Sequence, residues 1–373
     1  MPWLQHFNSS ARYFVLVFSK TIDTVFQTTK WRLLAPSILN EIPHVPLPIY
    51  PDMTFYSEVP GGIIEFLKTP NTTLSCLTSV INITVILPVL VFLLFKINAI
   101  FEPIMREVGS KLALSTHGEE WVNENSEKIL KFGEYCYRLT YHTFVTIYAI
   151  IVFREMPWVW DTKEMWTNYF SYPVTVGLTW YTLIQCAYNI QQLLTVFARS
   201  FLLKRKYPFI EWSPNCRGDF REMSLHHVVT NALVLSSSYF RITRSGTMVM
   251  ICHDISDIPV DMSKLANFLK WKKTTNACFV TMLLFWIFLR LYYFPFHIIW
   301  SVQYESVVMR DDISPGMSED SFLLYNRSFV IGLSMLAVLH WVWFSMLVRI
   351  GLLILLKGEH HDLSEHKKGE KLE

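Results

Sequence analysis

The chain of 373 residues is long enough for two soluble domains, but its composition is that of a membrane protein. Hydrophobic residues make up 51% and charged residues only 17%, whereas a soluble domain carries about a quarter of charged residues. The net charge of +2 excludes the broadly basic surface that nucleic-acid binding requires. The six cysteines show no CxxC spacing, so neither a disulfide framework nor a zinc site is predicted. No metal and no cofactor are expected.

The first 70 residues differ from the rest of the chain. Six prolines between positions 36 and 60 preclude a continuous helix there. Residues 1–70 are therefore predicted to form a proline-containing arm that is extended or lies on the membrane surface.

Seven later stretches are long and apolar enough to suggest membrane spans, since a helix needs about 20 mainly apolar residues to cross the hydrocarbon. The sequence thus predicts an all-α integral membrane protein with about seven transmembrane helices. The predicted spans are Ser75–Phe95, Tyr137–Phe153, Pro173–Leu203, Met223–Phe240, Gly246–Val260, Ala277–Trp300 and Phe322–Leu356.

The spans divide the chain into five regions. After the arm, residues 71–97 are predicted to hold the first transmembrane helix and 98–127 a cytosolic linker. Residues 128–356 then form the main membrane domain, and 357–373 form a charged tail.

Orientation is predicted from the lysines and arginines that lie between the spans. Twenty fall on one side of the membrane and six on the other, which places the N-terminus in the lumen and the C-terminus in the cytosol. The glycosylation sequon at Asn71 then lies on the luminal side, where it is usable. The tryptophan-rich stretch Trp158–Trp166 is predicted to be a luminal interfacial belt.

Five ionisable residues cluster in the fourth and fifth spans: His226, His227, His253, Asp254 and Asp257. An ionisable side chain at the centre of a span costs at least about 2.5–3.5 kcal/mol, so such residues are functional by default and face inward. Because neighbouring spans are antiparallel, a rise of about 1.5 Å per residue brings the two sets to one level in the cytosolic half of the membrane.

The residue types and spacing of this cluster favour acid–base or nucleophilic chemistry. His253 and Asp257 are four residues apart and share a helix face, as do His226 and Thr230. An aspartate is expected to orient an imidazole, which leaves a histidine to act as base or nucleophile. The isolated histidines of the spans are predicted to hydrogen-bond between helices: His142, His297 and His340.

Around these residues the sequence resembles the ceramide synthases, the sphingoid-base N-acyltransferases of the TLC-domain family. The resemblance covers about Lys128–Arg349. It is specific, because it includes both the histidine pair and the HDxSD pattern. The matching motifs are DFREMSLHHVVT from Asp219, HDISD from His253, KLAN from Lys264, KFGE from Lys131 and RLYYFP from Arg290.

The resemblance implies a ring of six TLC helices, formed by spans two to seven, with one span before it, in the endoplasmic reticulum membrane. It implies transfer of a fatty acyl group from acyl-CoA to a sphingoid base, with ceramide or dihydroceramide as product. The expected partners are acyl-CoA, the sphingoid base, membrane lipid and a further subunit in a homo- or hetero-oligomer.

The resemblance also assigns roles to residues. His226, His227, His253, Asp254 and Asp257 carry over as the catalytic set, and Tyr304–Ser321 corresponds to the luminal segment that influences chain length. Linker 98–127 departs from the family, since it is too short for the homeobox-like domain of many animal members. Expected substrate-binding residues are Thr230, Ser238, Tyr239, Arg244, Lys264 and Asn267.

Three other functions are weighed against acyl transfer. A non-catalytic TLC protein that binds or senses lipid would not need its histidines. A di-iron desaturase needs several HxxxH or HxxHH boxes, which the membrane portion of the sequence lacks. A proton-coupled transporter ordinarily shows a repeated half, and the sequence contains none.

Overall fold

The computed structural model describes residues 67–68, 82–169, 174–198, 220–239, 242–314 and 316–357. The elements of this part are helices. Most of the predicted arm, Asn71 and the tail beyond residue 357 lie outside the described residues, so the predictions made for them stay predictions.

Six long helices and one composite helix account for most of the described chain. The long helices are α1 (Leu87–His117), α3 (Ser126–Phe153), α5 (Val176–Phe197), α6 (Phe220–Tyr239), α7 (Thr243–Phe268) and α11 (Glu319–Lys357). The composite helix begins as α8 (Lys272–Phe285), continues through the π-helical stretches Trp286–Ile299 and Ser301–Glu305, and ends as α9 (Ser306–Val308). Shorter elements are a π-helical turn at Asn82–Ile86, α2 (Glu119–Glu124), α4 (Pro157–Trp160), a 3₁₀ turn at Thr162–Met165 and α10 (Arg310–Ile313).

Helix α1 runs far beyond the first predicted span. It continues without a break through most of the predicted linker 98–127 and ends at Gly118, whose φ of 91° is accessible to glycine at little cost. Most of its apolar side chains are exposed on the described surface. This exposure is the pattern of a helix that faces lipid on most of its circumference.

Four helical runs of the described part are long and apolar enough to cross a membrane: Thr84–His117, Ser126–Phe153, Lys272–Val308 and Glu319–Leu353. The other predicted spans coincide with α5, α6 and α7, which are helical but more polar. The all-helical prediction is therefore confirmed for the described residues, whereas the count of seven spans is not.

The long helices form a closed circuit of contacts around a central space. Helix α5 contacts α6, α6 contacts α11, and α11 contacts the π-helical continuation of α8. That continuation packs on α7, α7 on α3, and α3 on α5, while α1 packs outside the circuit against α3 and α5. The more polar helices α5, α6 and α7 thus turn their polar side chains towards the interior of this circuit.

Two sequence predictions, one about the tryptophan-rich stretch and one about Tyr304–Ser321, need correction. Trp158 and Trp166 are buried rather than arranged as an interfacial belt, and only Trp160 is exposed. Trp166 is held in the interior because its indole donates a hydrogen bond of 2.7 Å to Ser301 Oγ. The segment Tyr304–Ser321 is not a simple loop, because it contains helices α9 and α10 and the start of α11.

A buried ion pair joins α3 to α7. Arg138 Nη2 lies 2.7 Å from Asp261 Oδ1, and the Asp261 side chain is fully buried. A buried carboxylate without its cation is costly, so this pair ties the two helices together.

We expect Arg138→Leu to destabilise the protein by about 3–5 kcal/mol, because it leaves the Asp261 carboxylate buried alone. The midpoint temperature of thermal unfolding in detergent should fall by roughly 5–10 °C. The double variant Arg138→Leu/Asp261→Leu should recover part of the loss. Lys111→Ala, which breaks an exposed pair with Glu107, is the control and should not change the midpoint. A double variant no more stable than the single one would contradict this role.

Candidate active site

A cavity of about 800 Å³ occupies the centre of the helix circuit. Helices α3, α5, α6, α7, α8 and α11 all contribute side chains to its wall. It reaches the surface at the end where α7 finishes and α8 begins, since the exposed Lys270 lines it. Basic residues line the cavity, and the exposed Lys270 lies at its mouth: Lys128, Lys131, Arg138, Lys264 and Lys270.

The histidine pair of α6 lines the cavity next to the histidine of α7. The ring centroids of His226 and His253 are 6.3 Å apart, and those of His226 and His227 are 5.5 Å apart. The edge of Trp343 on α11 packs against His226. Among the described residues, no group hydrogen-bonds to the buried Nδ1 of His226. The predicted meeting of the two helices at one level is therefore what the structure shows.

His253 has both ring nitrogens engaged by the protein. Its Nδ1 lies 2.6 Å from the carbonyl oxygen of Val249, and its Nε2 lies 3.0 Å from Nε2 of His340 on α11. A carbonyl only accepts, so Nδ1 carries the proton and, with both rings neutral, Nε2 accepts from His340. The lone pair of His253 is thus already in use, which makes His253 a positioning group rather than the reacting base.

Asp254 accepts hydrogen bonds from a histidine of α3 and from two groups of α5. Its Oδ1 accepts from His142 Nδ1 at 3.0 Å, and its Oδ2 accepts from Tyr181 Oη at 3.2 Å and Gln185 Nε2 at 2.5 Å. Because Nδ1 of His142 donates to the carboxylate, the neutral ring keeps its lone pair on Nε2. His142 lines the cavity, so the His142–Asp254 pair presents a base to the interior.

Asp257 is held by a buried arginine. Arg290 Nη2 lies 2.5 Å from Asp257 Oδ1, while its Nε donates to Ser256 Oγ and Nη2 also reaches the carbonyl of His253. The guanidinium stacks over Trp286 with 4.2 Å to the ring centroid. Both carboxylates thus bind partners on other helices, and the expected aspartate–imidazole contact is formed by Asp254 with His142.

The predicted substrate-binding residues divide into two groups. Thr230, Lys264 and Asn267 line the cavity. Arg244 does not, because it lies at the start of α7 and donates to the carbonyls of Glu164 and Thr167. Ser238 is outside the cavity wall, and the side chain of Tyr239 lies outside the described part.

Several polar residues of the site escaped the sequence prediction, although a signal for some was present. Arg138 and Arg290 lie within predicted spans, where an ionisable residue indicates function by default. Asp261 continues the spacing of Asp254 and Asp257 along one helix face. His142 and His340 were predicted to bond between helices, which is confirmed, but their partners belong to the site.

Comparison with known proteins identifies relatives over the same region. The sequence profile of the TLC domain matches residues 131–349. The chain is 30% identical to human ceramide synthase 5 over 231 residues, which cover 62% of this chain and 53% of that protein. It is 26% identical to ceramide synthase hyl-2 of Caenorhabditis elegans over 268 residues, or 72% and 77% of the two chains. It is 29% identical to ceramide synthase 1 LOH3 of Arabidopsis thaliana over 228 residues, or 61% and 70%. The match thus spans about half the length of human ceramide synthase 5.

The difference between engaged and accessible histidines predicts their reactivity. Diethyl pyrocarbonate should modify His226 and His227 faster than His253 and His340, because the first two line the cavity, whereas His253 has both ring nitrogens hydrogen-bonded and His340 is fully buried. Mass spectrometry of proteolytic peptides after timed exposure measures the order. Modification of His340 as fast as His226 would contradict the arrangement.

Proposed function

The chain belongs to the TLC-domain family, and we propose that it is a ceramide synthase, which transfers a fatty acyl group from acyl-CoA to the amine of a sphingoid base. The observation that carries the proposal is that the His226–His227 pair and the His142–Asp254 pair line the same cavity inside the ring of helices. The names of the relatives support it, since each is a ceramide synthase.

The cavity suits an acyl-CoA whose two ends differ in polarity. A volume of about 800 Å³ lies within the range of about 300–1,000 Å³ that small-molecule pockets occupy. The lysines at the mouth supply charge for the CoA phosphates, and the apolar interior takes the acyl tail. We place the mouth on the cytosolic face of the endoplasmic reticulum membrane, because the lysine and arginine bias predicts that side.

The reaction forms one bond and breaks another at the thioester carbonyl. The amine nitrogen of the sphingoid base bonds to the carbonyl carbon, the carbon–sulfur bond breaks, and CoA leaves as the thiol with one proton. In our proposal the His226–His227 pair acts at the carbonyl, either by taking the acyl group first or by assisting direct attack of the amine. His142, oriented by Asp254, takes the proton that the ammonium group must lose.

His253, His340 and Arg290 have supporting roles in this proposal. The hydrogen bonds of His253 to Val249 and His340 fix its ring beside His226. Arg290 balances the charge of Asp257 at the cavity wall. Such preorganised partners hold reacting groups in place without rearrangement during the step.

A lipid-binding or lipid-sensing protein without catalysis is the competing function. It would use the same cavity and the same basic mouth. It differs in requiring no particular histidine, so the response to histidine substitutions separates the two functions.

We expect His226→Ala and His227→Ala each to lower amide formation by about 10²–10⁴-fold, because each removes an imidazole from the reacting wall. Asp257→Asn should cause a similar loss, because it removes the negative charge that holds Arg290 in place. The assay is purified protein with acyl-CoA and sphinganine, with the product quantified by mass spectrometry. His297→Ala is the matched control, since His297 stacks on Tyr293 away from the cavity. Full activity in the His226 and His227 variants would refute the catalytic function.

The role of His142 predicts a distinctive pH dependence. His142→Gln keeps a donor for Asp254 but removes the base, so amide formation should fall by about 10²-fold near neutral pH. Because more of the sphingoid amine is deprotonated as pH rises, the variant should recover part of its rate under alkaline conditions. His226→Ala should show no such recovery. A His142→Gln profile parallel to the wild type would exclude His142 as the base.

A further inference from the structure

Helix α5 presents a polar face to the central cavity. Gln185, Tyr188, Asn189 and Gln192 all line it, and they follow the three- and four-residue spacing of one helix face. Polar side chains inside a predicted span are costly and face the interior of the bundle. Each of these side chains is therefore expected to bond either to the protein or to a ligand.

Gln185 is committed to the protein. Its Nε2 donates to Asp254 Oδ2 and to Tyr181 Oη, and its Oε1 accepts from Tyr141 Oη. Asp254 in turn accepts from His142. Gln185 thus belongs to the network behind the proposed base, and its side-chain groups are already in use.

Asn189 lies one helical turn beyond Gln185 and is committed only in part. Its Nδ2 donates to the backbone oxygen of Gln185 at 2.9 Å, and this bond holds the amide in place. Within the described part of the chain, it is the one hydrogen bond that the Asn189 side chain makes. The amide oxygen Oδ1 is therefore an acceptor that remains available at the cavity wall.

Tyr188 supplies a hydroxyl beside this acceptor. Its ring stacks on Tyr141 with 3.4 Å between the centroids, and it meets the His142 ring at 84° with 5.6 Å between the centroids. These contacts fix a ring that is buried but lines the cavity. No hydrogen bond joins its Oη to the described residues, so the hydroxyl can both donate to a ligand and accept from it.

These two groups lie between the proposed base and the histidine pair of α6. The Tyr188 ring contacts His142. The backbone oxygen of Asn189 accepts from Asn231 Nδ2 at 3.0 Å, and the same nitrogen donates to the carbonyl of His227. A ligand that bonds to Asn189 Oδ1 and Tyr188 Oη, which we call the α5 pair, therefore lies next to the imidazoles on both sides.

The chemistry of the α5 pair complements hydroxyl groups. An amide oxygen accepts, whereas a phenol hydroxyl donates and accepts, and an alcohol can satisfy both. A sphingoid base carries a hydroxyl on each of the two carbons that flank its amine-bearing carbon. With the amine at His142, these hydroxyls lie beside that imidazole, on the side where α5 places Asn189 and Tyr188.

We propose that Asn189 Oδ1 and Tyr188 Oη bind the hydroxyls that flank the amine of the sphingoid base, and that this contact selects amino-alcohol lipids over simple long-chain amines. The inference rests on the proposed function. An amine without hydroxyls displaces water from the wall and leaves both buried groups without partners, which costs binding free energy. A site built to bond a hydroxyl rejects the analogue that lacks it for this reason.

The test is a competition between two amines for palmitoyl-CoA, with the full chain purified in detergent. The amines are sphinganine and 2-aminooctadecane, which has the same carbon skeleton without hydroxyls, and mass spectrometry quantifies the two amides. The wild type should favour sphinganine. Asn189→Leu and Tyr188→Phe should each lower this preference by about 3–10-fold, the effect of one lost hydrogen bond to a neutral group. The ratio of products is independent of the total rate, so a slower variant still gives an answer.

Matched substitutions outside the cavity control for general loosening of the helices. Asn326→Leu removes a buried amide that donates to the Val302 carbonyl and to Ser306. Tyr148→Phe removes a hydroxyl that donates to the Gly177 carbonyl. Neither Asn326 nor Tyr148 lines the cavity, so both variants should keep the wild-type product ratio.

The outcomes separate this inference from the proposed function. If the wild type acylates both amines equally, or if Asn189→Leu and Tyr188→Phe keep its product ratio, the α5 pair does not select the base and the inference fails alone. An equal shift in both controls would also contradict it. Tyr188→Phe keeps the ring and its stacking, so it gives an answer even where Asn189→Leu does not fold. If the wild type forms no amide from sphinganine, the proposed function fails as well.

Discussion

A carboxylate that is buried among apolar helices must find a cation or a hydrogen-bond donor, and this constraint organises the protein. Helix α7 presents Asp254, Asp257 and Asp261 on one face towards the interior. Each carboxylate binds a different neighbour: His142 and Gln185, Arg290, and Arg138, respectively. These partners lie on α3, α5 and the continuation of α8, so satisfying one helix face connects three other members of the ring.

The same pairing decides which histidines remain available for chemistry. His253 and His340 bond to each other through Nε2, and the remaining nitrogen of His253 donates to a carbonyl. His142 uses only Nδ1, and the pair on α6 faces the cavity. The hydrogen bonds of these histidines thus fix the positions of their rings at the cavity wall, and such preorganisation is what the proposed acyl transfer needs.

Local patterns were sufficient to predict the helices and the level at which the histidines meet. The spacing of apolar residues and the fixed rise per residue placed His226 beside His253, and their rings are 6.3 Å apart. The partners of Asp254 and Asp257 could not be predicted, because partner choice depends on the rotation of helices that are distant in sequence. Arg244 shows the same limit: its position in a shared motif suggested a substrate contact, whereas its donors hold the carbonyls of Glu164 and Thr167.

An affinity label tests most directly whether the α6 histidines face the reacting carbonyl. An α-bromo acyl-CoA places an electrophilic carbon next to the thioester, where the nearest nucleophilic nitrogen captures it. After incubation with the purified protein, peptide mass spectrometry locates the adduct. The arrangement described above predicts alkylation at His226 or His227, suppressed by excess unmodified acyl-CoA. Alkylation at His253 or His340, or at a residue outside the cavity, would contradict it.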